Sequence, residues 1–177
     1  MPAVVSLDES FSVNTLLYPG NGYRFNIRAP QRRFKWEAQQ IKQFWEDITK
    51  ALDDEDRDEH FLGPILLVKE NSPGGVTNYS VIDGQQRLTT LGLCLAILRD
   101  ECIDCESEAD FVLDIHHLLV RRVLSEYQGT VLTPQDPDAA NYEKCVKEQG
   151  STNPLFQKRE LPNGGGTKYS LTSGSSE

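Results

Sequence analysis

The densest chemistry in the chain is Asp83-Gly84-Gln85-Gln86-Arg87, set between the apolar pair Val81-Ile82 and a leucine-rich run that begins at Leu88. A buried strand passing into a buried helix needs no acid, two amides and an arginine at the joint. At such a turn the first N–H groups of the helix point outward with a partial positive charge and bind anions. Gly84 permits close backbone approach or a left-handed dihedral. Arg87 carries a planar fork of donors that fits phosphate. Gln85 and Gln86 both donate and accept, which suits sugar hydroxyls, base edges or an attacking water. Asp83 can hold a metal-bound water, orient an arginine or accept a proton, and Thr89 and Thr90 add hydroxyls on the first turn. A purely structural reading stays open: Asp83 as the helix N-cap, Gly84 as a turn glycine, Arg87 as an ion-pair partner for an acidic loop. The glycine spacing is not that of a P-loop, and the P-loop lysine is missing.

A second polar cluster lies in Ile27–Trp36, where Gln31-Arg32 repeats the Gln-Arg pair inside a basic stretch. From Phe11 to Trp36 there is no acid, but there are Arg24, Arg28, Arg32, Arg33 and Lys35. The net charge of −9 argues against nonspecific duplex binding by the whole surface, whereas a local basic face of this kind can still serve a polyanion. The two Gln-Arg segments are therefore expected to close over one phosphorylated ligand. Phe34 and Trp36 would anchor the second segment in the core or stack on a base. Cys102-Ile-Asp-Cys105 has metal or redox spacing, but no second pair or finger-spaced histidine accompanies it, so a helix end and its loop is the favoured reading. No protein metal site is expected. His116 and His117 fall in an apolar helix pattern and read as core or helix-surface residues.

The elements that must position these clusters follow from periodicity. A short helix or strand precedes the Pro19-Gly20-Asn21-Gly22 turn, and a strand is expected near Tyr23–Ile27. Ile41, Phe44, Trp45, Ile48 and Leu52 share one helical stripe after Glu37. Ile65–Lys69 and Thr77–Asp83 read as strands that pair as a hairpin with a wide loop. The run from Leu88 is apolar nearly all round, as a buried helix requires. Ser107-Glu108-Ala109-Asp110 has a capping-box shape before "FVLDIHHLLV". "TVLT" reads as a short strand, and Pro137 or Asp138 opens a last helix through Lys147. Residues 11–149 form the expected domain, and 150–177, rich in Gly, Ser, Asn and Thr, a flexible or truncated tail. No apolar run nears the roughly 20 residues of a membrane span, and the N-terminus has no signal-peptide pattern, so a cytoplasmic location is expected.

"FNIRAPQRRFKW", "FLGPILLV" and "YSVIDGQQRLTTL" resemble, in order and spacing, the N-terminal domain of GmrSD-type modification-dependent restriction endonucleases, with a weaker likeness through "VLTPQDPDAANYEKC". The resemblance implies a ParB/sulfiredoxin-like α/β fold: a small mixed sheet flanked by helices, with a helical C-terminal extension. It implies nucleotide binding and NTP hydrolysis, assisted by Mg²⁺, that control DNA cleavage by a separate His-Asn-His nuclease domain or subunit. Carried over, the catalytic set is Asp83, Gln85, Gln86 and Arg87, and the nucleotide-binding set is Gln31, Arg32, Gly84, Arg87 and Thr89. The family's Ile-Pro-x-Tyr before Gln-Arg is replaced here by Ile27-Arg28-Ala29-Pro30. The chain is too short to hold the nuclease domain as well, so it reads as a fragment, a split subunit or a decayed copy. A non-catalytic module that binds DNA or a partner is the main alternative. Direct nuclease action lacks a carboxylate cluster, and redox chemistry lacks a cysteine in either motif.

Overall fold

The computed structural model describes residues 11–29, 31–54, 59–70, 76–103, 108–123, 126–135, 137–152, 156–159 and 168–171. Its centre is a four-stranded mixed sheet built from β1 (Tyr23–Asn26), β2 (Leu66–Lys69), β3 (Thr77–Asp83) and β6 (Leu132–Thr133), in the order β2-β3-β1-β6. β1 runs parallel to both neighbours, while β2 and β3 form the expected antiparallel pair. Aromatic side chains fix the register of the inner strands. Phe25 lies opposite Tyr79 with stacked rings 6.0 Å apart, and Tyr23 meets Tyr79 edge-on at 5.3 Å. Phe25 is fully buried, as an inner position demands.

Five helices flank this sheet: α1 (Val13–Leu17), α2 (Ala38–Leu52), α3 (Gln85–Glu101), α4 (Ala109–Leu119) and α5 (Asp138–Lys147). α3 is the central one, packed on α4 and α5. Gly92 makes the closest approach, because a Cβ there would sit 2.1 Å from the Tyr142 hydroxyl. α2 begins with a capping box in which Glu37 and Gln40 satisfy each other's backbone N–H groups. Its apolar stripe is only partly covered. Phe44 is buried against Trp36 at 5.5 Å, whereas Trp45 is 49% and Leu52 79% exposed.

The helix expected over "FVLDIHHLLV" is present as α4 and ends at Leu119, within one residue of the end of that run. What the sequence reading did not include is the hairpin that follows, β4 (Val120–Val123) paired with β5 (Glu126–Thr130). The buried Arg121 accounts for β4: its guanidinium donates to the carbonyls of Tyr23 at 3.1 Å and Leu17 at 3.0 Å, locking the strand to β1 and α1. Burial, with Arg24 nearby, pushes its pKa down to about 10. Further along, β7 (Phe156–Arg159) pairs antiparallel with β8 (Lys168–Leu171).

A buried polar network closes the base of the helical layer. Arg99, with no exposed surface, donates to Asp100 at 2.8 Å and to the α5 carbonyls of Val146 at 2.5 Å and Cys145 at 3.1 Å. It therefore satisfies the orphan carbonyls of the last turn of α5. His116 contributes Nδ1 at 3.2 Å from Arg99, so it is a core histidine. Asp100 in turn accepts from the Thr152 backbone at 3.0 Å and hydroxyl at 2.7 Å. Burial alone would raise the Asp100 pKa, but hydrogen bonds from Arg99, Gly150 and Thr152 outweigh it and hold the carboxyl below its ordinary range. Among the described residues no helix is long and apolar enough to cross a membrane.

Candidate functional site

The polar cluster sits where the sequence put it, at the turn from β3 into α3. The N-cap is Gly84 with φ +88°, not Asp83, and no side chain caps the helix. Asp83 instead accepts the Gly84 N–H at 2.8 Å through Oδ1, and the rest of its side chain is exposed. Gly84 is required on two counts. The left-handed dihedral costs any L side chain about 1–2 kcal/mol. A Cβ there would also lie 3.0 Å from Ile65 Cγ1 and 3.3 Å from its Cα. The space beside Gly84 is thus filled by the entry to β2.

The two residues after Gln85 fasten the neighbouring segments. The Gln86 side-chain oxygen accepts the N–H groups of Lys35 at 2.7 Å and Trp36 at 3.1 Å, and its amide nitrogen donates to the Arg33 carbonyl at 3.0 Å. All three bonds clamp residues 33–36 in an extended path against the start of α3. Arg87 points the other way and donates to the Pro64 carbonyl, with its guanidinium against Gly63, where a Cβ would be 3.0 Å from Nη1. The three stretches that carry the resemblance are therefore interlocked by the Gly84–Arg87 turn. Gly63 and Pro64, passed over as part of an apolar run, are the residues that receive Arg87. Their Gly-Pro pair was the signal that the chain is irregular here, and Gly63 has φ +100°.

Beside this clamp is a shallow, solvent-open cleft. Arg32, Arg33 and Phe34 form one wall, and Gln85, Gln86 and Thr89 of α3 form the floor. Pro134 and Gln135, after β6, and Asp138, the first residue of α5, complete the lining with Ile27. The first turn of α3, with no side-chain cap, faces two exposed arginines across the opening. That is a pairing of helix dipole and guanidinium charge suited to an anion. Gln85 is 8% exposed, and no described donor reaches its Oε1; the same holds for Gln135 Oε1. A buried oxygen in that state is destabilising by about 1–3 kcal/mol until a partner satisfies it. Asp138 holds the wall in place by accepting the Phe34 N–H at 3.2 Å.

Of the residues singled out in the sequence, Arg32, Gln85, Gln86 and Thr89 line one cleft. Gln31 flanks it, its N–H donating to the Arg28 carbonyl at 2.9 Å, and is not part of the lining. Arg87 and Gly84 are not part of that lining. One Arg87 nitrogen donates to the Pro64 carbonyl, while its Nε is buried with no partner among the described residues. The third wall, Gln135 and Asp138, was missed as a site because its Pro-Gln-Asp-Pro composition reads as a helix entry. Trp36 packs on Phe44, and Phe34 lines the cleft, which separates the two roles the sequence left open for these aromatics.

Cys105 lies outside the described residues. Burial raises the Cys94 thiol to about 11, which leaves it unreactive at neutral pH. Among the described residues no group of three His, Cys, Asp or Glu side chains is placed to hold a metal.

Sheet, turn and cleft together define a small α/β domain whose polar strand-to-helix turn serves both as a structural clamp and as the floor of an anion-suited cleft. The sequence profile of the GmrSD restriction endonuclease N-terminal domain matches residues 15–170. The chain belongs to that family. Comparison with curated proteins gives no match.

Proposed function

We propose that the cleft binds a nucleoside triphosphate and hydrolyses it, and that the domain thereby regulates DNA cleavage by a His-Asn-His nuclease domain or subunit of a modification-dependent restriction system. The observation that carries this reading is the meeting of Arg32 with the uncapped N-terminus of α3 across one cleft. Phosphoryl transfer depends mostly on positioning and charge neutralisation, which such a site supplies. In this reading Arg32, the Gln85 and Gln86 N–H groups and the Thr89 hydroxyl hold the phosphates. Gln85 Oε1 accepts a hydrogen bond from the attacking water and orients its oxygen toward the terminal phosphorus; as the new P–O bond forms, the bond to the bridging oxygen breaks, and the water's proton passes to a phosphate oxygen of the released phosphate.

Gln86, Arg87 and Gly84 act as positioning residues, through the backbone of residues 33–36 and 63–65. Mg²⁺ would arrive with the triphosphate and neutralise part of its charge. Such an ion keeps several waters and needs only one or two carboxylates, a demand that Asp83, exposed beside the α3 N-terminus, fits.

Thermal unfolding with each of the four NTPs and Mg²⁺ tests the proposal, together with phosphate release. Stabilisation of the wild type and its loss in Arg32→Ala, with the unliganded melting temperature unchanged, is the expected result. Equal stabilisation of both proteins contradicts it. The exposed Arg33 and Lys35 beside the cleft favour a second reading, a DNA- or partner-binding module. Salt-sensitive DNA binding that ignores nucleotide, without phosphate release, selects that reading.

A further inference from the structure

The two sides of the cleft ask for opposite things from a ligand. Arg32, Arg33 and the α3 N-terminus present positive charge and N–H donors. The wall after β6 and at the start of α5 presents acceptors: Gln135 Oε1, buried with no described donor, and the Asp138 carboxylate, one oxygen of which already holds the Phe34 N–H. Triphosphate oxygens are acceptors with negative charge at neutral pH. They cannot satisfy Gln135 Oε1, and Asp138 repels them. A partner with N–H or O–H donors, a ligand group or a water, fits that wall.

Building on the proposed nucleotide site, we infer that Gln135 and Asp138 form the nucleoside-reading wall of the cleft, with Gln135 Oε1 accepting a hydrogen bond from the ribose hydroxyls or a base N–H. The ligand is thereby oriented. Its phosphates lie toward Arg32 and the α3 N-terminus, and its nucleoside lies toward that wall. Phe34, beside Asp138, offers a ring face on which a base can stack. Specificity then resides outside the Asp83–Arg87 turn, which handles phosphates common to every nucleotide. A site built around a hydrogen-bond acceptor rejects ligands that lack the donor, because the acceptor is left buried and unpaired.

Calorimetric titration of the 177-residue chain tests this with Mg²⁺ and three kinds of probe: inorganic tripolyphosphate, the four NTPs and their 2′-deoxy counterparts. The wild type should bind at least one NTP more tightly than tripolyphosphate. Gln135→Leu should weaken that NTP by about tenfold, the scale of one buried hydrogen bond, and leave tripolyphosphate unchanged. The unchanged phosphate probe shows that the variant is folded. Gln135→Glu keeps an acceptor and should retain more of the discrimination than Gln135→Leu. A loss confined to the 2′-deoxy series assigns the contact to the ribose, and a loss on changing base at constant ribose assigns it to the base; both support the inference. If Gln135→Leu weakens NTP and tripolyphosphate equally, or changes neither, the inference is overturned while the phosphate site stands. If the wild type binds tripolyphosphate and NTPs alike, it is overturned in the same way. If the wild type binds none of the probes, the nucleotide reading itself falls and takes this inference with it.

Discussion

Replacing Gln86 by methionine keeps the length and flexibility of the side chain and removes its amide. Three hydrogen bonds to the backbone of residues 33–36 are lost, two accepted and one donated. Each bond contributes about 0.5–1.5 kcal/mol net, and because this stretch is close to solvent, values near the low end give about 2 kcal/mol in total. The loss is local. It loosens the path from Arg33 to Trp36 and the wall that carries Arg32, and it leaves the β1–β3 core intact. A penalty of about 2 kcal/mol corresponds to roughly a 30-fold rise in the open population of that segment. Amide exchange read residue by residue by NMR should therefore accelerate about 30-fold at Lys35 and Trp36, the two N–H groups released, and little at Phe25 or Val81. Nucleotide affinity should fall in parallel, since Arg32 is held less often at the cleft. Gln86→Glu retains an acceptor for both N–H groups and should protect Lys35 and Trp36 far better than methionine does. Unchanged exchange at these two amides in Gln86→Met would refute the clamp, and unchanged affinity despite faster exchange would refute its link to the cleft.

Gly84→Ala combines a left-handed dihedral with a close contact on Ile65, so it should lower stability by at least about 1–2 kcal/mol, read as a drop in denaturant midpoint at constant slope. Wild-type stability in the variant would mean that the turn adopts an ordinary dihedral. Asp100, whose folded-state pKa is lowered, contributes stability that is full above its unfolded value of about 3.9 and is lost as pH falls through the lower folded value. Asp100→Asn should therefore cost about 3 kcal/mol near neutrality, and the gap from wild type should narrow below about pH 4. A gap that does not change with pH would show that the charge of Asp100 is not what stabilises the Arg99 network.

Much of the architecture was legible because it follows local rules. The alternation in Thr77–Asp83, the turn residues near Gly22 and the Pro137–Asp138 helix start are all signals within a few residues of what they specify. The strand that follows the fourth helix was not legible, because it depends on Arg121 finding the Tyr23 and Leu17 carbonyls about a hundred positions away in the chain. The partners within the site were hidden for the same reason. Side-chain type suggested that Gln86 and Arg87 were ligand groups, but only the fold shows that Gln86 also holds the backbone of residues 33–36 and that Arg87 donates to the Pro64 carbonyl. Gln135 gave no sign at all, since a glutamine in a Pro-Gln-Asp-Pro run looks like any loop residue until its oxygen is seen buried without a described donor in a cleft that Gln85 and Asp138 also line.

The central claim is that Arg32 and the first turn of α3 grip the phosphates of one ligand. The most direct measurement is amide chemical-shift mapping of the isotope-labelled chain as a nucleoside triphosphate with Mg²⁺ is added. The account predicts saturable shifts at Arg32, Gln85, Gln86 and Thr89, with smaller ones at Gln135 and Asp138. Shifts centred on other surfaces, with these six amides unmoved at saturation, would contradict it.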